Sequence, residues 1–276
     1  MALHLPINAD CNLRCVFCSA AGRNGDFQLS SLIAMIDEDQ TGHVQISGGD
    51  PMLKDPLELL EILLRCRKKK KLIELQTNAL LVPAYDAKRF RLIAGLVDYF
   101  NVNLSAHTPE LDEAVTGAAG GFEKRLDGVR RMLSHGAPVR LTYVVCQANY
   151  RHCVDFADFV ACELKGVEWI QFSFVKGVGR ARGSARIIPR FREAAPHLNE
   201  ALAFCRDSGI RFEVDHIPVC FVREFEDNHV DYRKMLAEQP GAHLAEKQRV
   251  ADCDGCSLRL WCPGPRKDYI ELYGEL

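Results

Sequence analysis

Short apolar runs of strand character alternate with amphipathic helical stretches from the first residues to about residue 174, and no other feature of the chain narrows its fold as much. The strand-like runs are Leu3–Asn8, His43–Ser47, Leu72–Thr77, Tyr99–Ser105, Val139–Val145 and Trp169–Phe174. Between them helical periodicity predicts a short helix from Ser30 or Ser31 to about Ile36, then helices over Leu57–Lys69, Tyr85–Leu96, Phe122–His135 and Cys153–Leu164. In the second of these, Leu57, Leu60 and Leu64 make one apolar face, and Gly136 supplies a left-handed stop for the fourth. Strand then helix, repeated about six times with short connections, calls for parallel strands joined by right-handed crossovers. Six units are too few for a closed eight-stranded barrel, and in α/β barrels the carboxyl ends of the strands carry the site.

Composition removes several alternatives. With 276 residues, 47% of them hydrophobic, and a formal net charge of −2, the chain reads as a soluble globular protein with one barrel-like domain and an appendage. Near-neutral charge leaves no nucleic-acid footprint, and no apolar run approaches the ~18 residues of a membrane span. The N-terminus leads directly into a strand with no secretory signal, so a cytoplasmic location is expected. The cationic run Lys68–Lys71 is read as a solvated helix end that complements the helix dipole. Twelve cysteines in a chain of this size point to metal or redox chemistry. Seven fall in two groups; Cys66, Cys146, Cys153, Cys162 and Cys205 lie in apolar-periodic segments and are expected in the core.

The first group is Cys11, Cys15 and Cys18, spaced C-x3-C-x2-C just after the first strand. Three soft thiolates on one loop suit a cuboidal iron–sulfur cluster and leave one iron open to an exogenous ligand. A zinc site would want a fourth local ligand, and none is nearby. Phe17 precedes Cys18, and Gly48-Gly49-Asp50-Pro51 follows the second strand. Together these resemble the radical S-adenosylmethionine (SAM) superfamily, whose cysteine signature carries an aromatic residue before the third cysteine. The resemblance implies a partial (β/α)6 TIM-like barrel, a catalytic [4Fe–4S] cluster held by Cys11, Cys15 and Cys18, and SAM chelating the open iron. Gly48, Gly49, Asp50 and Pro51 would shape the site for the methionyl amino group, with Asp in the slot where the family carries Glu. It further implies reductive cleavage of SAM to a 5′-deoxyadenosyl radical that abstracts hydrogen from a substrate, with an electron donor such as flavodoxin or ferredoxin. Polar residues at strand exits, Asn103, Ser105, Gln171 and Ser173, are candidates to hold ribose or carboxylate, and His107 stands at the same exit as Asn103. After the sixth strand the Arg-rich segment beginning Lys176-Gly177 contains Gly179-Arg180-Ala181, which resembles a phrase of the same superfamily.

A further helix over Pro196–Ser208 and a strand over Ile210–Val214 precede Cys220, and Cys253, Cys256 and Cys262 follow at C-x2-C-x5-C. This resembles the SPASM and twitch extensions of radical SAM enzymes, implying one auxiliary [4Fe–4S] cluster with Cys220 as its fourth ligand. The full SPASM pattern would place another cysteine where Arg266 stands. Structural zinc is the competing reading of the same four cysteines. His229 and His243, in the charged stretch 226–249, are expected to be exposed. The expected organisation is a radical SAM core over residues 1–186 and a twitch-like, cysteine-rich region over 187–276. The substrate class is a peptide or a small metabolite; with Cys11 only ten residues from Met1, no peptide-recognition domain is expected ahead of the barrel. The other function class is a non-enzymatic redox or metal-binding protein, against which the glycine segment counts, since an electron carrier has no need of a methionine-binding loop.

Overall fold

The computed structural model describes residues 2–22, 24–239 and 241–276, apart from the side chains of residues 242 and 243, so the His243 expectation lies outside the described residues. Strands β1 (Leu3–Pro6), β2 (His43–Ser47), β3 (Leu72–Thr77), β4 (Tyr99–Asn103), β5 (Val139–Val145), β6 (Trp169–Phe174) and β7 (Phe212–Asp215) form one sheet in sequential order, every neighbouring pair parallel. The crossovers carry α1 (Leu29–Glu38), α2 (Pro56–Lys68), α3 (Ala87–Leu96), α4 (Pro109–Thr116), α5 (Phe122–Ser134), α6 (Cys153–Glu163) and α7 (Phe191–Asp207). Two short helices, α8 (Val230–Leu236) and α9 (Lys267–Tyr273), lie in the C-terminal part. The seven-stranded sheet does not close among the described residues, so the architecture is a partial barrel, in line with the repeat count and with the expectation from the resemblance. Its seventh strand, expected within the C-terminal region, extends the barrel by pairing with β6.

Alternation along the strands separates two faces. Val44, Ile46, Ile73, Leu75, Phe100, Val102, Leu141, Ile170, Phe172 and Val214 are buried beneath the helices and make the main core. The opposite face is polar. Arg140 stands beside Asn101, Thr142 beside Asn103 and Gln171, and Ser173 beside Asp215. Glu74, fully buried, gathers an ion pair from Arg140 at 2.7 Å and hydrogen bonds from Tyr99 at 2.5 Å, Asn101 at 2.7 Å and Gln45 at 3.0 Å. An ionised carboxylate so placed is tolerated because its oxygens are satisfied on several sides.

Several local expectations change. In α2 the buried face is Leu59, Ile62, Leu63 and Cys66, while Leu57 and Leu64 are 69% and 56% exposed. Asp55 caps the helix start, its carboxylate accepting from Leu57 and Glu58 N–H. Cys162 is exposed on α6, whereas Cys66, Cys146, Cys153 and Cys205 are buried as expected. Lys71 is not solvated: it is buried against Asp39, donating also to the Thr41 carbonyl at 2.7 Å. Helix α4 was not expected; Thr108 caps it through Leu111 N–H, and Pro109 occupies the first turn. Helix α7 starts at Phe191, leaving Pro196 inside it. His229 is buried, bonded to the Ile217 carbonyl at 2.7 Å and accepting from Asp231 N–H at 3.1 Å, and burial holds its pKa at about 4.

Candidate functional site

The loop carrying Cys11, Cys15 and Cys18 follows β1 at the carboxyl end of the sheet, and four other segments hold it. The β2 exit closes on its start. Gly49 N–H donates to the Asn8 carbonyl at 3.0 Å, Asp50 N–H to the Asp10 carbonyl at 2.7 Å, and Asn8 Nδ2 to the Asp50 carbonyl at 2.8 Å. This approach explains the two glycines. A Cβ on Gly48, whose φ is +136°, would lie 2.4 Å from the Asn8 carbonyl oxygen, and one on Gly49 would lie 1.9 Å from that of Asp10. Their small size is demanded first by the chain's own cysteine loop. The end of α4 makes the second brace, with Arg14 and Val16 N–H donating to the carbonyls of Thr116 and Val115 at 2.8 and 2.9 Å. At the β6 exit, Arg180 N–H donates to the Cys18 carbonyl at 3.1 Å and the Arg180 guanidinium to that of Cys15 at 3.3 Å. A Cβ on Gly179 would sit 2.2 Å from the Cys18 oxygen. Asn78, at the β3 exit, reaches Cys11 Sγ at 3.8 Å and Asn12 at 2.7 Å.

The three thiols face one another closely enough that each neighbour raises the cost of ionising Cys15, but burial is the larger cause and pushes it up to about 12. Burial likewise raises Cys11. Arg125 opposes the rise at Cys15. This arginine, on α5, is fully buried and was not singled out by the sequence reading. It pairs with Asp112, donates to the Asn78 carbonyl at 3.1 Å and also bonds the Asn103 carbonyl, tying α4 to the exits of β3 and β4. The signal was present: Arg125 shares the apolar helical face of Phe122, Leu126, Val129 and Met132.

Asp50 is buried at the floor of this mouth. Its carboxylate accepts from Thr77 Oγ1 at 3.0 Å and from the N–H groups of Met52 and Asn78, each at 2.9 Å. Burial raises its pKa against these donors. Its side chain thus caps the turn beginning at Pro51 and pins the β3 exit, leaving the Gly48–Gly49 backbone as the part of the segment lying along the cysteine loop. Asn103 donates to Ser105 Oγ at 3.2 Å, and Ser105 accepts from Val144 N–H at 2.9 Å; the buried Asn103 Oδ1 has no protein partner. Gln171 donates to Asp215 at 2.8 Å, and Ser173 is its register neighbour. These four candidates therefore line the polar concave face, with Asn103 and Ser105 on one strand exit and Gln171 and Ser173 two strands away.

The second cysteine group also converges. Cys220, Cys253, Cys256 and Cys262 all line one small cavity, together with Pro218, Arg249 and Gly264. Burial, then the proximity of the other three thiols, raises Cys220 to about 11. Arg266, at the position where a SPASM pattern would carry cysteine, is buried and bonded to Asp268 and Glu246, a structural ion cluster. Among the described residues no helix is long and apolar enough to cross a membrane.

A partial parallel α/β barrel that gathers three thiols of one loop at its mouth offers the soft donor set of iron–sulfur proteins. The family model "Radical SAM superfamily" matches residues 5–160, more than half of the chain, and the chain belongs to that superfamily. Among named relatives, the "Probable GTP 3',8-cyclase" of Methanococcus aeolicus is 29% identical over 178 residues, covering 60% of this chain and 56% of that protein. The "Fe-coproporphyrin III synthase" of Methanosarcina barkeri is 25% identical over 246 residues, covering 83% of this chain and 57% of that protein. The chain thus spans little more than half the length of the curated relatives it matches. Among solved structures, "Native anSMEcpe with bound AdoMet and Cp18Cys peptide" superposes with a TM-score of 0.68 at 15% identity, covering 98% of this chain and 90% of that one. That likeness establishes a shared fold through the C-terminal region.

Proposed function

We propose that this chain is a radical SAM enzyme in which Cys11, Cys15 and Cys18 hold a catalytic [4Fe–4S] cluster, and that it modifies a peptide or oxidises a small metabolite. One observation carries the reading: a three-thiol loop is clamped at the barrel mouth directly against the Gly48–Gly49 backbone. The donor set fits the group, because three soft sulfurs saturate three irons of a cube and leave the fourth for an amino-acid chelate. When bound, the cluster supplies the electron that splits SAM into methionine and a 5′-deoxyadenosyl radical. The protein supplies the rest. Gly48 and Gly49 keep the loop close to the methionyl group, and Asp50 and Pro51 fix that turn. Asn103 Oδ1 is a free acceptor for a ribose hydroxyl, Ser105 holds the Asn103 amide in place, and Gln171 and Ser173 extend the polar wall. Cys220, Cys253, Cys256 and Cys262 are assigned to an auxiliary [4Fe–4S] cluster, on their convergence at one cavity. An electron donor of the flavodoxin or ferredoxin type and a division near residue 186 belong to the same reading, as does a cytoplasmic location. The relatives named above support a small-molecule substrate, and the peptide-bound neighbour supports a peptide.

The test is anaerobic incubation of reconstituted protein with SAM and a strong reductant, read as 5′-deoxyadenosine, with and without candidate substrates. The wild type is expected to release it and the Cys15→Ala/Cys18→Ala variant none; equal release by both defeats the assignment. The Cys253→Ala/Cys256→Ala variant is expected to lose about four irons per chain and keep the rest. Loss of zinc in place of iron defeats the auxiliary-cluster reading.

A further inference from the structure

One group of metal-capable side chains lies apart from both cysteine sets. His107 sits in the loop after β4; His152 and Asp155 lie at the start of α6, after β5. One potential ligand atom from each lies within 4.8 Å of the other two. His152 Nδ1 and Asp155 Oδ2 are 3.0 Å apart, and the two imidazole centroids are 5.5 Å apart. An ordinary surface pair between His152 and Asp155 accounts for that contact alone. It leaves His107 unexplained, because the buried Nδ1 of His107 has no hydrogen-bond partner.

A network of hydrogen bonds centred on Asn149 lies beneath the trio. Asn149, fully buried, donates from Nδ2 to the carbonyls of Ser105 at 2.9 Å and Val144 at 3.0 Å, and accepts at Oδ1 from Cys146 N–H at 2.8 Å. Its own carbonyl accepts from Tyr143 Oη at 2.7 Å and from His152 N–H at 2.9 Å. One side chain therefore joins the two loops that carry the imidazoles, two residues from His107 and three from His152.

We infer that His107, His152 and Asp155 form a divalent-cation site, best suited to zinc, that joins the β4–α4 and β5–α6 loops at the rim of the barrel mouth. Two imidazoles and one carboxylate match zinc's preferences and leave a fourth position for water or an oxygen ligand. Tetrahedral coordination places donors about 3.3 Å apart. The half-exposed side chains of His152 and Asp155 have room to close to that separation by rotamer change.

The site is tested on cluster-reconstituted wild type and the His107→Ala/His152→Ala variant, dialysed to equilibrium against graded Zn²⁺, with zinc and iron counted in the same samples. The wild type is expected to hold one more zinc per chain than the variant, with at least ten-fold tighter binding at that site. Added zinc should raise the melting temperature of the wild type and leave that of the variant unmoved. Both substitutions fall on partly exposed residues, and matching far-UV circular dichroism verifies the fold of the variant. Equal zinc in both proteins overturns the inference, including the case in which all bound zinc sits on cysteines. The iron count reports separately on the cysteine assignments, so either reading can fail without the other.

Discussion

Arg125 is the residue on which the mouth of the barrel most depends. Its charge has no access to solvent, and it meets Asp112 and the carbonyls of two strand exits. Arg125→Met keeps most of the volume but strands the Asp112 carboxylate, which burial already pushes toward its neutral form. Removing one partner of a buried pair costs about 3–5 kcal/mol. Urea unfolding should show a loss of that size, and the Arg125→Met/Asp112→Asn double variant should recover part of it. A loss under about 1 kcal/mol would mean that the pair contributes little. The two cysteine groups and the glycine pair stood out through their spacing together with the family resemblance, because soft ligands and Cβ-free backbone are written into residue type. Arg125 was passed over because a cation among apolar helix positions is visible only when each position of the face is checked. His229 was misjudged because a charged neighbourhood was equated with exposure; the structure instead packs those charges as pairs around it.

At the level of elements, β2, β3, β5 and β6 coincide with their expected bounds, since β-rich apolar runs between turn residues leave little latitude. Helix faces were less legible. Leu57 and Leu64 fit a helical stripe, yet the stripe that packs lies around Leu59, Ile62, Leu63 and Cys66, because tertiary contacts choose among overlapping stripes. Helix α4 escaped notice as too short and too polar, although its last turn supports the cysteine loop. The turn at Gly179 is another such support. Gly179→Ala adds a Cβ 2.2 Å from the Cys18 oxygen at a φ of +60°. The expected cost is about 1–3 kcal/mol, together with a fall in iron retained after reconstitution, measured by chemical unfolding and iron analysis. Unchanged iron and stability would show that the loop holds its shape without this contact.

Across the whole molecule, the concave face carries a polar layer where many barrels carry an apolar one, centred on Glu74 and drawing from β2 to β5. Burial raises the Glu74 pKa, but Arg140 and the hydrogen-bond donors outweigh it, so the group lies below its ordinary carboxyl value. A carboxyl depressed in the folded state adds stability above its unfolded pKa and withdraws it as pH falls through the folded one. Stability should therefore decline on acidification below about pH 4.5, and more shallowly in Glu74→Gln than in the wild type, followed by denaturant titration at each pH. Equal slopes would assign the acid response to other carboxylates. This layer was not foreseen, because polar residues alternating along a strand read equally well as a solvated face until the sheet curls around them.

The bonds from Arg180 to the cysteine loop set an order of events. Arg180 and Cys15 are separated by 165 positions in the chain yet touch in the finished fold. A ribosome making this protein from its N-terminus has thus delivered the three thiols long before it delivers their last support. Nascent chains stalled before Gly179 would present those thiols on a loop without its β6-side clamp.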